Sequence, residues 1–156
     1  MKIKFIVVGK TDAKYIQEAV SVYLDRLGHY VPFEMHCIPD PKNAGKMNEL
    51  QLKTQEATAI LECLSAGDEL ILLDEKGETL SSVEFASMIS KKINYGVRRL
   101  VFVSGGPYGF ADAIYEKSSL LLSLSKMTFT HQMVRLIFVE QLYRAFTIIK
   151  GEKYHH

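Results

Sequence analysis

Short, continuously apolar runs alternate along this chain with segments of helical period, and that alternation admits few folds. The runs are residues 3–8, ending at Gly9; 33–38, stopped by Pro39 and Pro41; 70–73; 100–103; and 120–124. The first, apolar apart from Lys4 and rich in β-branched residues, suits a strand covered on both faces, as in a parallel sheet, and the others read as strands beside it. Between them Asp12 is placed to cap a helix whose inward stripe is Ile16, Ala19, Val20, Tyr23 and Leu27, closed by Gly28. From Met47 onward Leu50, Thr54, Ala57, Ile60, Leu61 and Leu64 recur at helical spacing up to Gly67. Ser81 and Glu84 form a capping box ahead of Phe85, Met88, Ile89 and Ile93, and a brief helix fits residues 111–117. The expected architecture is one α/β domain spanning 1–156, with a mostly parallel sheet and helices on both faces. Asp74–Gly77 is expected to be a turn after a short central strand.

The terminal segment asks for more than a surface helix. After Thr130, Met133, Val134, Ile137, Phe138, Leu142, Phe146 and Ile149 form one apolar stripe, and Leu136, Val139, Tyr143 and Thr147 a second. A helix apolar on two sides wants either a deep interior or a partner subunit, and in a chain of 156 residues the partner is expected. Arg135, Glu140 and Arg144 interrupt it. Glu140 and Arg144 stand four apart, yet an exposed pair of that kind contributes only about 0.2–0.5 kcal/mol. A bound anion is a stronger reason for charges there.

The net charge of +1 argues against a general nucleic-acid binder. It conceals two local clusters: Lys42, Lys46 and Lys53, expected to be a solvated face, and Arg144, Lys150, Lys153, His155 and His156, where the tail context favours function. Cys37 and Cys63 are too few and too scattered for a disulfide framework or a zinc site, and are expected to be buried thiols. No metal site is expected. No run approaches the roughly 18–20 apolar residues of a membrane span, and the opening residues lead straight into a strand, so a cytoplasmic protein is expected.

Ligands of open α/β sheets bind beyond the carboxyl ends of the strands. Three loops leave such ends, after Leu73, Val103 and Leu124. Gly105 and Gly106 let a backbone approach a ligand closely, although Gly-Gly-x-x-Gly is not the dinucleotide fingerprint. Residues alone leave the segment after Leu124 free to be an ordinary strand-to-helix turn.

Taken together, SLSKMTFTHQMVRLIFVEQLYRAF with KGEKYHH, LLDEKG at 72–77 and VSGGPYG at 103–109 closely resemble the bacterial 23S rRNA (pseudouridine-N3) methyltransferase H family of the SPOUT class. The resemblance spans essentially the whole chain. Thr130 departs from it, since the family more often has proline there, and so does Ser104, where an aliphatic residue is common. The resemblance implies a C-terminal trefoil knot, a homodimer with its active site at the interface, and S-adenosyl-L-methionine as cofactor. It implies that main-chain groups of Leu124, Ser125, Lys126, Met127, Thr128 and Phe129 hold the adenine, with Leu73 and Gly105 completing the pocket. The substrate it implies is N3 of a pseudouridine in large-subunit rRNA. That imide nitrogen is a poor nucleophile until its proton leaves. His155 is the first candidate for taking or relaying the proton, Arg144 for stabilising the anion, and Tyr154 for contacting the ring. His131 either faces the pocket or pins the turn. Two rivals stay open: a flavodoxin-like nucleotide or flavin module without catalysis, and a ribosome-associated factor that does not modify RNA.

Overall fold

Successive side chains of a strand point to opposite faces of its sheet, and in this protein both sets are buried. The computed structural model describes residues 1–155; His156 lies outside the described residues. The elements are β1 (Lys2–Val8), α1 (Lys14–Leu27), β2 (Phe33–Ile38), α2 (Glu49–Glu62), β3 (Asp68–Thr79), α3 (Ser82–Asn94), β4 (Arg99–Ser104), α4 (Asp112–Lys117), β5 (Leu120–Ser123) and α5 (His131–Ile149). The strands form one sheet in the order β2-β1-β4-β3-β5, and every pairing is parallel. Ile3, Phe5, Val7, Ile71, Leu100 and Phe102 face a core shared with α1, α3 and α5, whereas Ile6, Val8, Leu70, Leu72, Val101 and Val103 face α2 and α4. The expected α/β layering with helices on both faces is therefore present, and the sheet is parallel throughout.

The terminal helix differs from its expectation. Phe138, Val139, Leu142, Ala145, Phe146 and Thr147 are buried, with the Phe138 ring 4.4 Å from that of Phe5 and 4.7 Å from that of Phe102. Members of both apolar stripes are thus covered within the chain, because α5 lies on the sheet with α1 on one flank and α3 on the other. Ile137 is half-buried and joins neither core.

Arg135 is not an interruption of the helix surface. It is 1% exposed; its guanidinium donates to Val8 O and Thr11 Oγ1, both at 2.7 Å, and its Nε to His131 O. Burial lowers its pKa from the ordinary value. Gln132 adds bonds to Lys10 O and from Asp12 N, so the start of α5 clamps the loop leaving β1. Asp12 is consequently not the cap of α1, whose N-cap is Ala13 without a side-chain bond.

Further differences follow from position in the sheet. Cys37, expected to be buried, is exposed because β2 is an edge strand, and Cys63 is half-buried. Leu50 is exposed on α2, which buries Leu52, Glu56, Ala57 and Ile60 instead. The central strand is β4, and the expected turn at Asp74–Gly77 lies inside a longer β3. Leu122 of β5 pairs with Leu73 and again with Glu78, so residues 74–77 arch over β5 before β3 resumes.

Candidate functional site

The carboxyl ends of β3, β4 and β5 open into a cleft of about 500 Å³, within the size range of small-molecule sites. Leu73, Asp74, Glu75 and Lys76 form one wall, the glycine-rich loop from Ser104 to Phe110 another, and the segment after β5 the third. That third segment has its own scaffolding. Ser123 Oγ donates to Ser125 O and Ser125 Oγ accepts from Met127 N, both at 2.9 Å, and Thr130 Oγ1 accepts from Met133 N at the cap of α5. Thr130 therefore holds by a cap bond the turn that a proline would stiffen covalently.

Of the eight residues expected to contact a cofactor, Leu73, Gly105, Leu124, Ser125, Met127, Thr128 and Phe129 line this cleft; Lys126 is exposed and is not part of its lining. Leu122, Met127, Phe129 and Val134 offer apolar surface, while Asp74 and Glu75 offer carboxylates to a cationic ligand. His131, also exposed, stands in the lining, and its carbonyl accepts the Arg135 bond.

Sequence reading missed a brace across this cleft. Tyr115 of α4 donates its hydroxyl to Asp74 Oδ2 at 2.5 Å, and Asp74 Oδ1 accepts from Lys76 N at 2.8 Å, tying the β3 arch to the helix after the glycine loop. Burial, reinforced by the Asp74 bond, pushes Tyr115 from 10.0 up to about 12. The folded state gains from this neutral phenol fully below pH 10 and loses the gain as pH rises toward 12. Tyr115→Phe is expected to flatten the fall in unfolding free energy over that alkaline window, read by urea titration at stepped pH, and to cost about 1 kcal/mol near neutrality.

A family profile described as "Predicted SPOUT methyltransferase" matches residues 1–155. The chain belongs to the SPOUT methyltransferase family. Proteins named ribosomal RNA large subunit methyltransferase H are similar along their whole length: 55% identical in Parabacteroides distasonis and 54% in Flavobacterium johnsoniae, each alignment covering 100% of this chain and 99% of the relative. The one from Cytophaga hutchinsonii is 52% identical with both chains fully covered. Membership carries with it the trefoil knot of the SPOUT fold, and the cleft lies where the strand ends of that fold meet.

The second group expected to act in a SPOUT enzyme of this kind sits elsewhere. Arg144 donates from Nε (3.1 Å) and a terminal nitrogen (2.5 Å) to Glu140 Oε1, and its guanidinium lies 4.7 Å over the Tyr154 ring. Tyr154 donates to the same Glu140 oxygen at 3.1 Å, approaches the Tyr23 hydroxyl at 3.4 Å and packs edge-on against Tyr143. The Glu140 bond raises the Arg144 pKa, and burial, with the Tyr23 and Glu140 contacts, raises that of Tyr154. One therefore stays cationic and the other a neutral phenol. His155 follows, its Nδ1 buried without a hydrogen-bond partner among the described residues. Among the described residues lining the cleft, none of Arg144, Tyr154 and His155 appears. Arg144 lies thirteen positions beyond His131 on α5, about 20 Å along the helix at 1.5 Å per residue.

Proposed function

We propose that this protein is an S-adenosyl-L-methionine-dependent methyltransferase of large-subunit rRNA, acting on N3 of a pseudouridine as a cytoplasmic homodimer. The observation that carries the reading is the convergence of three strand-end loops on one cleft, in a chain of the SPOUT family whose relatives are named for that RNA. The cleft suits the cofactor. Residues 124, 125 and 127–129 line it and would supply main-chain groups for the adenine edge, Met127 and Phe129 supply walls, and Asp74 and Glu75 complement a positive charge.

Bound there, the cofactor supplies an electrophilic methyl group for in-line displacement. The protein's own work is alignment and preparation of the nucleophile. Arg144 stabilises the imide anion, His155 takes or relays the N3 proton, and Tyr154 contacts the ring; help from a general base is worth about 10²–10⁴ in rate. Since one chain holds these groups about 20 Å from the cleft end of α5, they act on the cleft of a second copy, which also gives the half-buried Ile137 a partner. With a net charge of +1, much of the RNA recognition comes from the shape of a structured particle. Among the described residues, no helix is long and apolar enough to cross a membrane.

Two measurements test the reading. Calorimetry is expected to show S-adenosyl-L-methionine binding to the purified protein, and nucleoside mass mapping of large-subunit RNA from cells lacking the protein is expected to show one methylated pseudouridine reduced to its unmethylated form. An unchanged modification map overturns it.

A further inference from the structure

Behind the glycine-rich loop, on the side away from the cleft, stands a buried carboxyl that the chemistry above does not use. Glu56 of α2 is 6% exposed and sits among Leu52, Ala57 and Ile60. Ionisable side chains are rarely buried without a reason, because the charged form loses its hydration. The Glu56 carboxyl rests on the backbone of Gly106. A Cβ placed on Gly106 would stand 2.5 Å from Oε1 and 2.8 Å from Oε2, so the carboxyl occupies the space a side chain at 106 would fill. Burial raises the Glu56 pKa, the Gly106 amide partly offsets that rise, and Asp40 adds to it. The opposite side of the same loop, Gly105 and Gly106 included, forms a wall of the cleft.

We propose that Glu56 is a positioning residue for the methyl donor: its carboxyl braces Gly106 from behind and so holds the main-chain groups of the Gly105–Gly106 turn in place to bond the cofactor. This rests on the reading of the cleft as the donor site. Glu56 lines a separate small cavity with Asp40 and Gln55 and is absent from the lining of the cleft. It acts through the loop and takes no part in the transfer itself.

The test compares Glu56→Met with Glu56→Gln in the full-length protein. Methionine fills the volume and removes both oxygens; replacing a buried charge by an apolar group of similar volume is commonly neutral or stabilising. Glutamine keeps an oxygen where the carboxylate has one. Glu56→Met is expected to weaken S-adenosyl-L-methionine binding by about tenfold or more in calorimetry, because the Gly105–Gly106 turn loses the carboxyl that stands against its backbone. Its kcat at saturating cofactor is expected to stay within about twofold of wild type, with no loss in thermal midpoint, since the brace acts on binding. Glu56→Gln is expected to restore the affinity to within about threefold, since its amide oxygen stands against the same backbone without the carboxylate's charge. Wild-type affinity in Glu56→Met, or failure of Glu56→Gln to recover it, overturns the proposal. Failure of the donor-site reading itself is distinguishable, because then the wild-type protein would not bind the cofactor.

Discussion

Gly77→Val is expected to yield no folded protein, and Gly77→Ala to lose about 3 kcal/mol or more of stability, as overpacking against immobile atoms does. Gly77 closes the arch of residues 74–77 over β5. A Cβ there would stand 2.5 Å from the Leu121 carbonyl carbon, 2.6 Å from Leu122 N and 2.7 Å from Leu121 O. All three are backbone atoms, so no rotamer change relieves the overlap. Nor can β5 retreat: it is held in register by β3 on both sides of the arch, and Leu122 is buried in the core beneath α5. The arch cannot lift either without breaking the Asp74 bonds to Tyr115 and to Lys76 N that fix its start. Urea titration of Gly77→Ala measures the cost. Stability within about 0.5 kcal/mol of wild type, the range of an ordinary surface substitution, would show that the two backbone segments are free to part.

That crossing also marks where sequence reading stopped. The alternation of apolar runs and helical segments was legible because a parallel sheet buries both faces, so each strand announces itself by its composition. The second half of β3 was not, since Asp74, Glu75, Lys76 and Gly77 have the composition of a turn, and only the pairing of Glu78 and Thr79 with β5 beyond them shows that the strand continues. General topology rules disfavour knots, and no periodicity encodes one; the knot came from the resemblance alone. Arg135 was misplaced and Glu56 went unmarked for a shared reason. A lone charge on a helix defaults to solvent, and what retains each inside is backbone from a distant segment: the Gly106 turn for one, Val8 O and Thr11 for the other. Tyr115 carried no signal either, because its partner Asp74 lies 41 positions away. The loop of residues 124–129 was found through its motif, and its internal serine bonds explain how so irregular a stretch keeps one shape.

Mixing two inactive variants is expected to restore activity, and this follows from the separation between the cleft and the tail. Thr128→Arg places a long side chain in the cleft from an exposed position, so it is expected to block the proposed cofactor site without disturbing either core. Arg144→Ala removes the guanidinium from the Glu140 and Tyr154 cluster at the far end of α5. Each homodimer is expected to lose about 10²-fold or more in methyl transfer, the scale for deleting a group that stabilises developing charge. In the proposed twofold dimer each site joins one cleft to the other chain's tail, so a heterodimer of the two variants would hold one intact site and one doubly damaged site. Random pairing makes about half the dimers mixed, and recovery approaches about a quarter of wild-type activity. The reciprocal control pairs wild type with a chain carrying both substitutions. Its heterodimer then has a damaged cleft facing an intact tail and the reverse, so neither site works and activity falls below that of the wild-type chains present. Sites contained within single chains invert both outcomes, with no recovery in the first mixture and full retention of the wild-type contribution in the second. Co-expression with two affinity tags, purification of the mixed dimer and a radiolabelled methyl-transfer assay on ribosomal particles distinguish the cases. Arg144 held by Glu140 is no obstacle to the proposed role: the shared carboxylate keeps the guanidinium oriented across the Tyr154 ring, so in the proposed dimer the facing cleft would meet a cation whose direction is already set.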